Sequence, residues 1–175
     1  MKNRIKVTLN DEQYMLVKGK WLDSHFIEAP LNIGIQLTEQ ILKDNTDEFS
    51  DEDLKQFLLG FKDQGLTAQA LHVASILYAR YVEAEDVANI RWLMPIETSL
   101  LRLSNTPQKA IEFYTSQVAK FGKAVESPPL LTSLAAAYCD VHDYVSAKRL
   151  CDRAYAWGGS SLELSAVYGR IKSES

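Results

Sequence analysis

Apolar residues recur at helical spacing along most of the chain after residue 30. Residues 31–43 carry theirs on one face of a predicted helix. Ser50 and the three acidic residues that follow it predict the N-cap and first turn of a second helix. Gly65 predicts the left-handed C-terminal end of that helix. Similar signals predict further helices, which begin at Thr67, Val87, Pro107, Leu130, Tyr144 and Leu162.

Two stretches of the pattern leave alternatives open. Residues 5–9 alternate apolar and polar side chains, which is typical of a short strand, whereas residues 10–13 are suited to capping a helix that runs on to Trp21. Both a hairpin and a helix therefore stay open for this segment. Pro95 either kinks the helix that begins at Val87 or starts a new one, because proline lacks the amide donor that a helix interior needs.

A helix–turn–helix pattern occurs twice in the chain, with an offset of 77 residues between the copies. Bulky residues recur at the first-helix positions, and Ala70 recurs as Ala147. The matched positions pair Leu54 with Leu131, Phe57 with Leu134, Leu58 with Ala135, Phe61 with Tyr138, Thr67 with Tyr144, Ala70 with Ala147, Ala74 with Cys151 and Leu77 with Ala154. A weaker copy lies between them, marked by Leu101, Ala110, Tyr114 and Gly122.

This spacing resembles the tetratricopeptide repeat family, whose first helix carries bulky-x2-Leu-Gly-x2-Tyr and whose second helix carries Ala-x3-Phe. The third copy fills that pattern with Leu131, Leu134, Ala135, Tyr138, Ala147, Cys151 and Ala154. The resemblance covers residues 50–171. No copy keeps the family's first Trp or final Pro, and Glu97 and Thr98 stand where the middle copy should have Leu and Gly.

The resemblance implies an all-α fold, an array of about three helical hairpins. Since an offset of 77 residues exceeds two repeats of about 34 residues, the middle hairpin is expected to carry insertions. Tyr168 and Gly169 lie one repeat beyond their counterparts in the third copy, which predicts a C-terminal capping helix. The expected domains are an N-terminal segment, residues 1–45, which caps the array or forms a small subdomain, and a repeat domain, residues 46–175.

The composition is that of a globular protein, with 46% hydrophobic and 24% charged residues among 175. The net charge of −4 argues against a basic surface for nucleic acid. Residues 1–13 lack the apolar core of a signal peptide, and no stretch reaches the length of a transmembrane helix. We therefore expect a cytoplasmic protein with reduced thiols, without membrane insertion and without nucleic acid as a partner.

Residue types that often carry chemistry are few and scattered. The three histidines are far apart in sequence, and Cys139 and Cys151 lack metal-ligand spacing. Both cysteines fall within the repeat pattern, where a buried thiol acts as a small hydrophobe, and a redox role is the minor alternative. The acidic residues 51–53 suit a helix cap better than a metal site. Since no enzyme motif is present, we expect no catalysis, no metal and no cofactor.

In the resembling family, the first helices of the hairpins line a concave groove that holds a peptide or a helix of another protein. Carried over position by position, the resemblance implies a groove lined by Lys55, Leu59, Lys62, Ser99, Arg102, Thr132, Ala136, Cys139 and Arg170. The cations among these residues favour an acidic or C-terminal carboxylate peptide. Leu59 and Ala136 stand where the family's chaperone-tail clamp uses Asn, which argues against that specific clamp. Trp92 either packs in the core or serves as an exposed anchor for a partner.

The expected function is protein binding, as an adaptor, a co-chaperone or an assembly factor. A narrower reading is a type III secretion chaperone, because that class is similar in its short, acidic, three-repeat architecture. Two alternatives come from other classes. One is a homo-oligomeric structural component, and the other is an enzyme or small-molecule-sensing regulator.

Overall fold

Residues 6–22 form a three-stranded antiparallel sheet. The computed structural model describes residues 5–44 and 46–174. The strands are β1 (Lys6–Leu9), β2 (Glu12–Val17) and β3 (Lys20–Leu22), in that order across the sheet. Asn10 and Asp11, at φ 52° and 63°, form the two-residue turn of a tight hairpin. The hairpin alternative is therefore the one observed, and this segment departs from the all-α expectation.

The sheet buries one face, and α1 (Leu31–Asp44) contacts it through β3. Tyr14, Leu16 and Trp21 are the buried hydrophobic residues of the strands. The indole N–H of Trp21 donates a hydrogen bond to Thr38 Oγ1 on α1, at 2.9 Å. A buried tryptophan usually needs such a partner for its N–H. This hydrogen bond therefore helps to fix the sheet on the helix.

Eight α-helices follow the sheet among the described residues. After α1 they are α2 (Asp51–Asp63), α3 (Thr67–Glu83), α4 (Val87–Leu103), α5 (Pro107–Phe121), α6 (Pro128–Asp140), α7 (Tyr144–Gly158) and α8 (Leu162–Ser173). The side chains of Ser50, Ser127 and Ser161 accept hydrogen bonds from backbone amides and cap α2, α6 and α8. Pro128 and Pro129, expected just outside a helix, occupy the first turn of α6, where a missing amide loses no helical hydrogen bond.

Within residues 46–174, four connections between helices are closed by the same backbone turn. The residue at the tip of each turn adopts positive φ, and the next residue donates its N–H to the carbonyl five residues back. The tip residues are Gly65, Glu85, Asn105 and His142. This is the left-handed end that many helices use, and glycine supplies it in only one of these four turns.

The helix pairs differ in length. Their N-caps, Ser50, Asp86 and Ser127, together with Ser161 of α8, lie at successive spacings of 36, 41 and 34 residues. The middle spacing is the longest because α4 has 17 residues against 13 in α6. A 3-10 turn, Gly122–Val125, also follows α5. These two features account for the longer middle spacing, and α4 runs as one helix through Pro95.

The chain divides into two compact units, the first ending at Leu77 and the second beginning at Tyr78, so the division falls inside α3. The first unit holds the sheet, α1 and α2. In the second unit, α6 lies between α4 and α8 and contacts both, while α5 packs on α4 and α7 packs on α6. The domain division predicted at residue 45 stays a prediction.

The core of the second unit includes the α6–α7 pair. Ala135 and Ala147 are fully buried in that core, and small side chains allow two helices to approach closely. From α8, the core receives Leu164, Val167 and Ile171. None of the described helices has both the length and the apolar character needed to cross a bilayer.

The other face of α8 is exposed to solvent. It carries Ser165 and Gly169, whereas Leu131 and Ala135, the residues 34 positions earlier in α6, are buried. A helix with an apolar inner face and a small or polar outer face is suited to cover the end of a helical core.

Candidate functional site

A cleft of about 580 Å³ opens in the second unit near the C-terminal ends of α4, α6 and α8. The helices contribute Arg102 and Leu103, Cys139 and Asp140, and Arg170 and Ser173, respectively. The turns after α4 and α6 add Asn105 and His142, and Pro107, Tyr144 and Glu174 complete the lining. Arginine near the end of a helix is favoured by the negative end of the helix dipole, which helps to place both guanidinium groups here.

Asp140 joins the two arginines of the cleft. Its Oδ2 accepts a hydrogen bond from Arg102 Nε at 2.6 Å, and its Oδ1 accepts one from Arg170 Nη2 at 2.8 Å. A longer contact of 3.4 Å joins Arg102 Nη2 to Oδ1. Three side chains from three helices therefore form one ion network.

The network is only partly buried. The side chains of Arg102 and Asp140 are each 24% exposed, and that of Arg170 is 43% exposed. Burial would raise the pKa of Asp140, but the hydrogen bonds and charges of Arg102 and Arg170 outweigh it and hold that pKa below its usual value. Asp140 is therefore a carboxylate at neutral pH, and the two arginines bring one more positive charge than it neutralises.

The turn residues give the cleft further polar groups. His142 Nδ1 and the hydroxyl of Tyr144 lie 3.1 Å apart, and the two rings meet edge to face. His142 and Asn105 both sit at turn tips with positive φ. Cys139 is almost fully buried, and burial raises the pKa of its thiol. The thiol is therefore protonated at neutral pH and is a weak nucleophile.

The structure brings three of the predicted groove residues together. Arg102, Cys139 and Arg170 line the same cleft. Ser99 also lies between α4 and α6, because its hydroxyl is 3.1 Å from that of Ser133. Whether these positions bind a partner stays a prediction.

The other predicted residues are placed differently. Thr132 and Ala136 of α6 are buried, as Cys139 is, but they do not belong to the lining of the cleft. Trp92 of α4 is half-buried, so its exposure is intermediate between that of a core residue and that of an exposed anchor. On α2, in the first unit, Leu59 is exposed, whereas Lys55 and Lys62 are half-buried.

Sequence reasoning missed the acidic member of the network. Asp140 follows the predicted Cys139 directly, and its signal in the sequence is an acidic residue at the end of a helix, where the dipole disfavours it. Asn105 and His142 lie at the tips of two turns, and nothing in the sequence spacing indicates that these turns border one cleft.

The described residues show no sign of a metal centre or a disulfide. No group of three or more potential ligands is found among them, and Cys139 and Cys151 are both free and buried. Burial also raises the pKa of Cys151, to about 11. Comparison of the chain with family models, with curated proteins and with solved structures found no match.

Proposed function

We propose that this chain is a tetratricopeptide-like protein-interaction module that binds an acidic or carboxylate-terminated peptide in the cleft between Arg102 and Arg170. The observation that carries the proposal is the pair of guanidinium groups, which come from different helices and face one open cleft. Planar guanidinium groups bind carboxylates through paired N–H donors.

The architecture of the second unit supports a repeat module. Two helix pairs are followed by a single helix, and their first helices, α4, α6 and α8, are neighbours. Ser127 and Ser161 cap successive first helices with a spacing of 34 residues, the length of a tetratricopeptide repeat. Ala135 and Ala147 are buried where the family requires small residues.

Hydrogen bonding, rather than a strong positive field, would carry recognition in this cleft. Asp140 and Glu174 contribute negative charge to the cleft. The C-terminal ends of α4, α6 and α8 also contribute the negative ends of their dipoles. Each guanidinium group has five N–H donors, and Asp140 uses only some of them. The remaining donors of Arg102 and Arg170 are the groups that we assign to the peptide.

A direct binding measurement tests the proposal. The probe is a fluorescent triglutamate peptide with a free C-terminal carboxylate, and the matched control is amidated triglutamine. We expect Arg102→Gln and Arg170→Gln each to weaken triglutamate binding about tenfold or more, because a charged hydrogen bond is lost. Unchanged affinity in both variants, with the fold intact by circular dichroism, would show that the cleft is not the site.

The predicted role of Lys62 is tested in the same assay. Lys62→Glu reverses a charge on α2, in the first unit, and leaves the ion network of the second unit untouched. Weaker triglutamate binding would show that Lys62 contributes to recognition, whereas unchanged binding would restrict the proposed site to the cleft described above.

A further inference from the structure

Asp140 occupies the place that a bound carboxylate would take between the two arginines. It accepts from Arg102 through Nε and from Arg170 through Nη2, at 2.6 and 2.8 Å. Side-on contact with Arg102 is the geometry expected for a carboxylate ligand of arginine. The cleft thus holds an internal carboxylate on the same two arginines whose remaining donors the proposed function assigns to the peptide.

We propose that Asp140 is an internal competitor, which limits the affinity of the cleft and must give up or share its arginine contacts when a peptide carboxylate binds. This inference rests on the proposed function. It concerns the regulation of the same site and adds no second ligand.

The local structure allows Asp140 to move aside. Asp140 is the last residue of α6, its side chain is 24% exposed, and the backbone hydrogen bonds that close the next turn do not involve that side chain. A displaced carboxylate would therefore reach water without breaking the helix or the turn. The two arginines would keep a counter-charge throughout, because the peptide carboxylate would replace that of Asp140.

Electrostatics sets the size of the effect. Two carboxylates on the same pair of arginines repel each other, since unit charges near contact at a protein surface interact by more than the thermal energy. Removal of the charge of Asp140 with little change in shape should therefore strengthen binding. We expect Asp140→Asn to bind triglutamate about tenfold more tightly than the unchanged protein. This factor corresponds to the low end of the range of repulsion energies between two such charges.

A second acidic residue of the cleft provides the matched control. Glu174 lines the cleft, but the ion pairs of Asp140 are made with Arg102 and Arg170. Glu174→Gln changes the net charge by the same amount, and we expect a gain of less than threefold. Equal gains in both variants would show that only the overall field matters and would overturn the assignment of Asp140.

The remaining outcomes are equally decisive. Asp140→Ser is measured beside Asp140→Asn, and thermal unfolding identifies any variant that fails to fold. The first outcome is that the unchanged protein binds triglutamate, both arginine variants lose this binding, and neither Asp140 variant gains affinity. Asp140 would then only position the arginines, and the proposal that it is an internal competitor would be wrong. If neither the unchanged protein nor the Asp140 variants bind triglutamate, the proposed function is wrong, and the proposal that Asp140 is a competitor is wrong with it.

Discussion

The carboxylate of Glu126 forms an ion pair with Arg153, with 2.8 Å between Oε2 and Nη2, and only 4% of the Glu126 side chain is exposed. Its other oxygen accepts a hydrogen bond from the hydroxyl of Tyr114. The backbone carbonyl of Glu126 accepts a third, from Arg91 Nε at 2.8 Å. Glu126 lies between α5 and α6, so this one residue ties together α4, α5 and α7 in the second unit.

We predict that Glu126→Gln destabilises the protein by about 2 kcal/mol, because a buried, fully hydrogen-bonded carboxylate is lost and Arg153 keeps its charge. Urea unfolding of the two single variants and of the double variant with Arg153→Gln gives the coupling energy. We expect a coupling of about 1–2 kcal/mol. A coupling near zero would mean that the pair is structurally unimportant.

The ion pair between Lys148 and Asp152 is the matched control. Its two charged atoms are 2.9 Å apart, but the side chains are 63% and 52% exposed. Exposed pairs at this helical spacing contribute less than about 0.5 kcal/mol. The same double-variant cycle should therefore give a clearly smaller coupling here than at Glu126.

A second prediction concerns pH. Burial raises the pKa of Glu97 from 4.5 to about 7, and Glu97 Oε2 finds no hydrogen-bond partner among the described residues. The folded protein then holds a proton that the unfolded chain releases at lower pH, so the contribution of Glu97 to stability is greatest below pH 4.5 and is lost as pH rises through 7. Glu97 should account for a loss of about 2–3 kcal/mol between these limits.

Unfolding measured from pH 4.5 to pH 8 checks this loss. Glu97→Gln removes the titration, so its stability should vary less with pH and should exceed that of the unchanged protein at pH 8. Glu112→Gln, on the exposed face of α5, should leave the pH dependence unchanged. A pH dependence identical in Glu97→Gln and in the unchanged protein would contradict the burial of this carboxyl.

Substitution by alanine is expected to have opposite effects on stability at Gly158 and at Gly169. A Cβ atom at Gly158 would come within 2.8 Å of the side chain of Pro128, whereas one at Gly169 would meet nothing within 4 Å. Gly158→Ala should therefore destabilise the protein by about 1–3 kcal/mol through overpacking. Gly169→Ala should stabilise it by up to about 1 kcal/mol, since alanine favours the helix. Thermal unfolding of both variants checks the contrast.

Gly19 reports the close approach of the β2–β3 turn to α2. Its φ is 77°, and an added Cβ would lie 2.4 Å from Gln56 Cβ. Gly65, at φ 73°, has open space around the same position. Gly19→Ala should cost at least about 2 kcal/mol, through strain and a clash together, and Gly65→Ala about 1 kcal/mol through strain alone. Equal losses in urea unfolding would show that the hairpin does not contact α2.

Local signals predicted the helices well. Ser50 caps α2, Thr67 begins α3 and Pro107 begins α5, because each of these signals acts within one turn of the chain. The N-terminal hairpin could not be chosen over a helix in this way. Its register depends on the burial of Tyr14 and Trp21, which comes from pairing between separate segments and from packing on α1.

The site was predictable only in part, for a similar reason. The resemblance implied that Arg102 and Arg170 are cations of one groove, and helical spacing identifies which residues of a helix share a face. It does not show which side chains of neighbouring helices form hydrogen bonds with each other. The pairing of both arginines with Asp140 depends on how α4, α6 and α8 pack, and the sequence pattern contains no measure of that.

In the turn that closes four of the helix connections, the backbone structure does not depend on which side chain stands at the tip. The backbone hydrogen bonds that close the turn are the same whether Gly65, Glu85, Asn105 or His142 stands at the tip. Two of these tips, Asn105 and His142, border the cleft. The rim of the cleft can therefore be varied at two positions while the helices stay constant, which makes these turns natural starting points for changing the polarity of the rim.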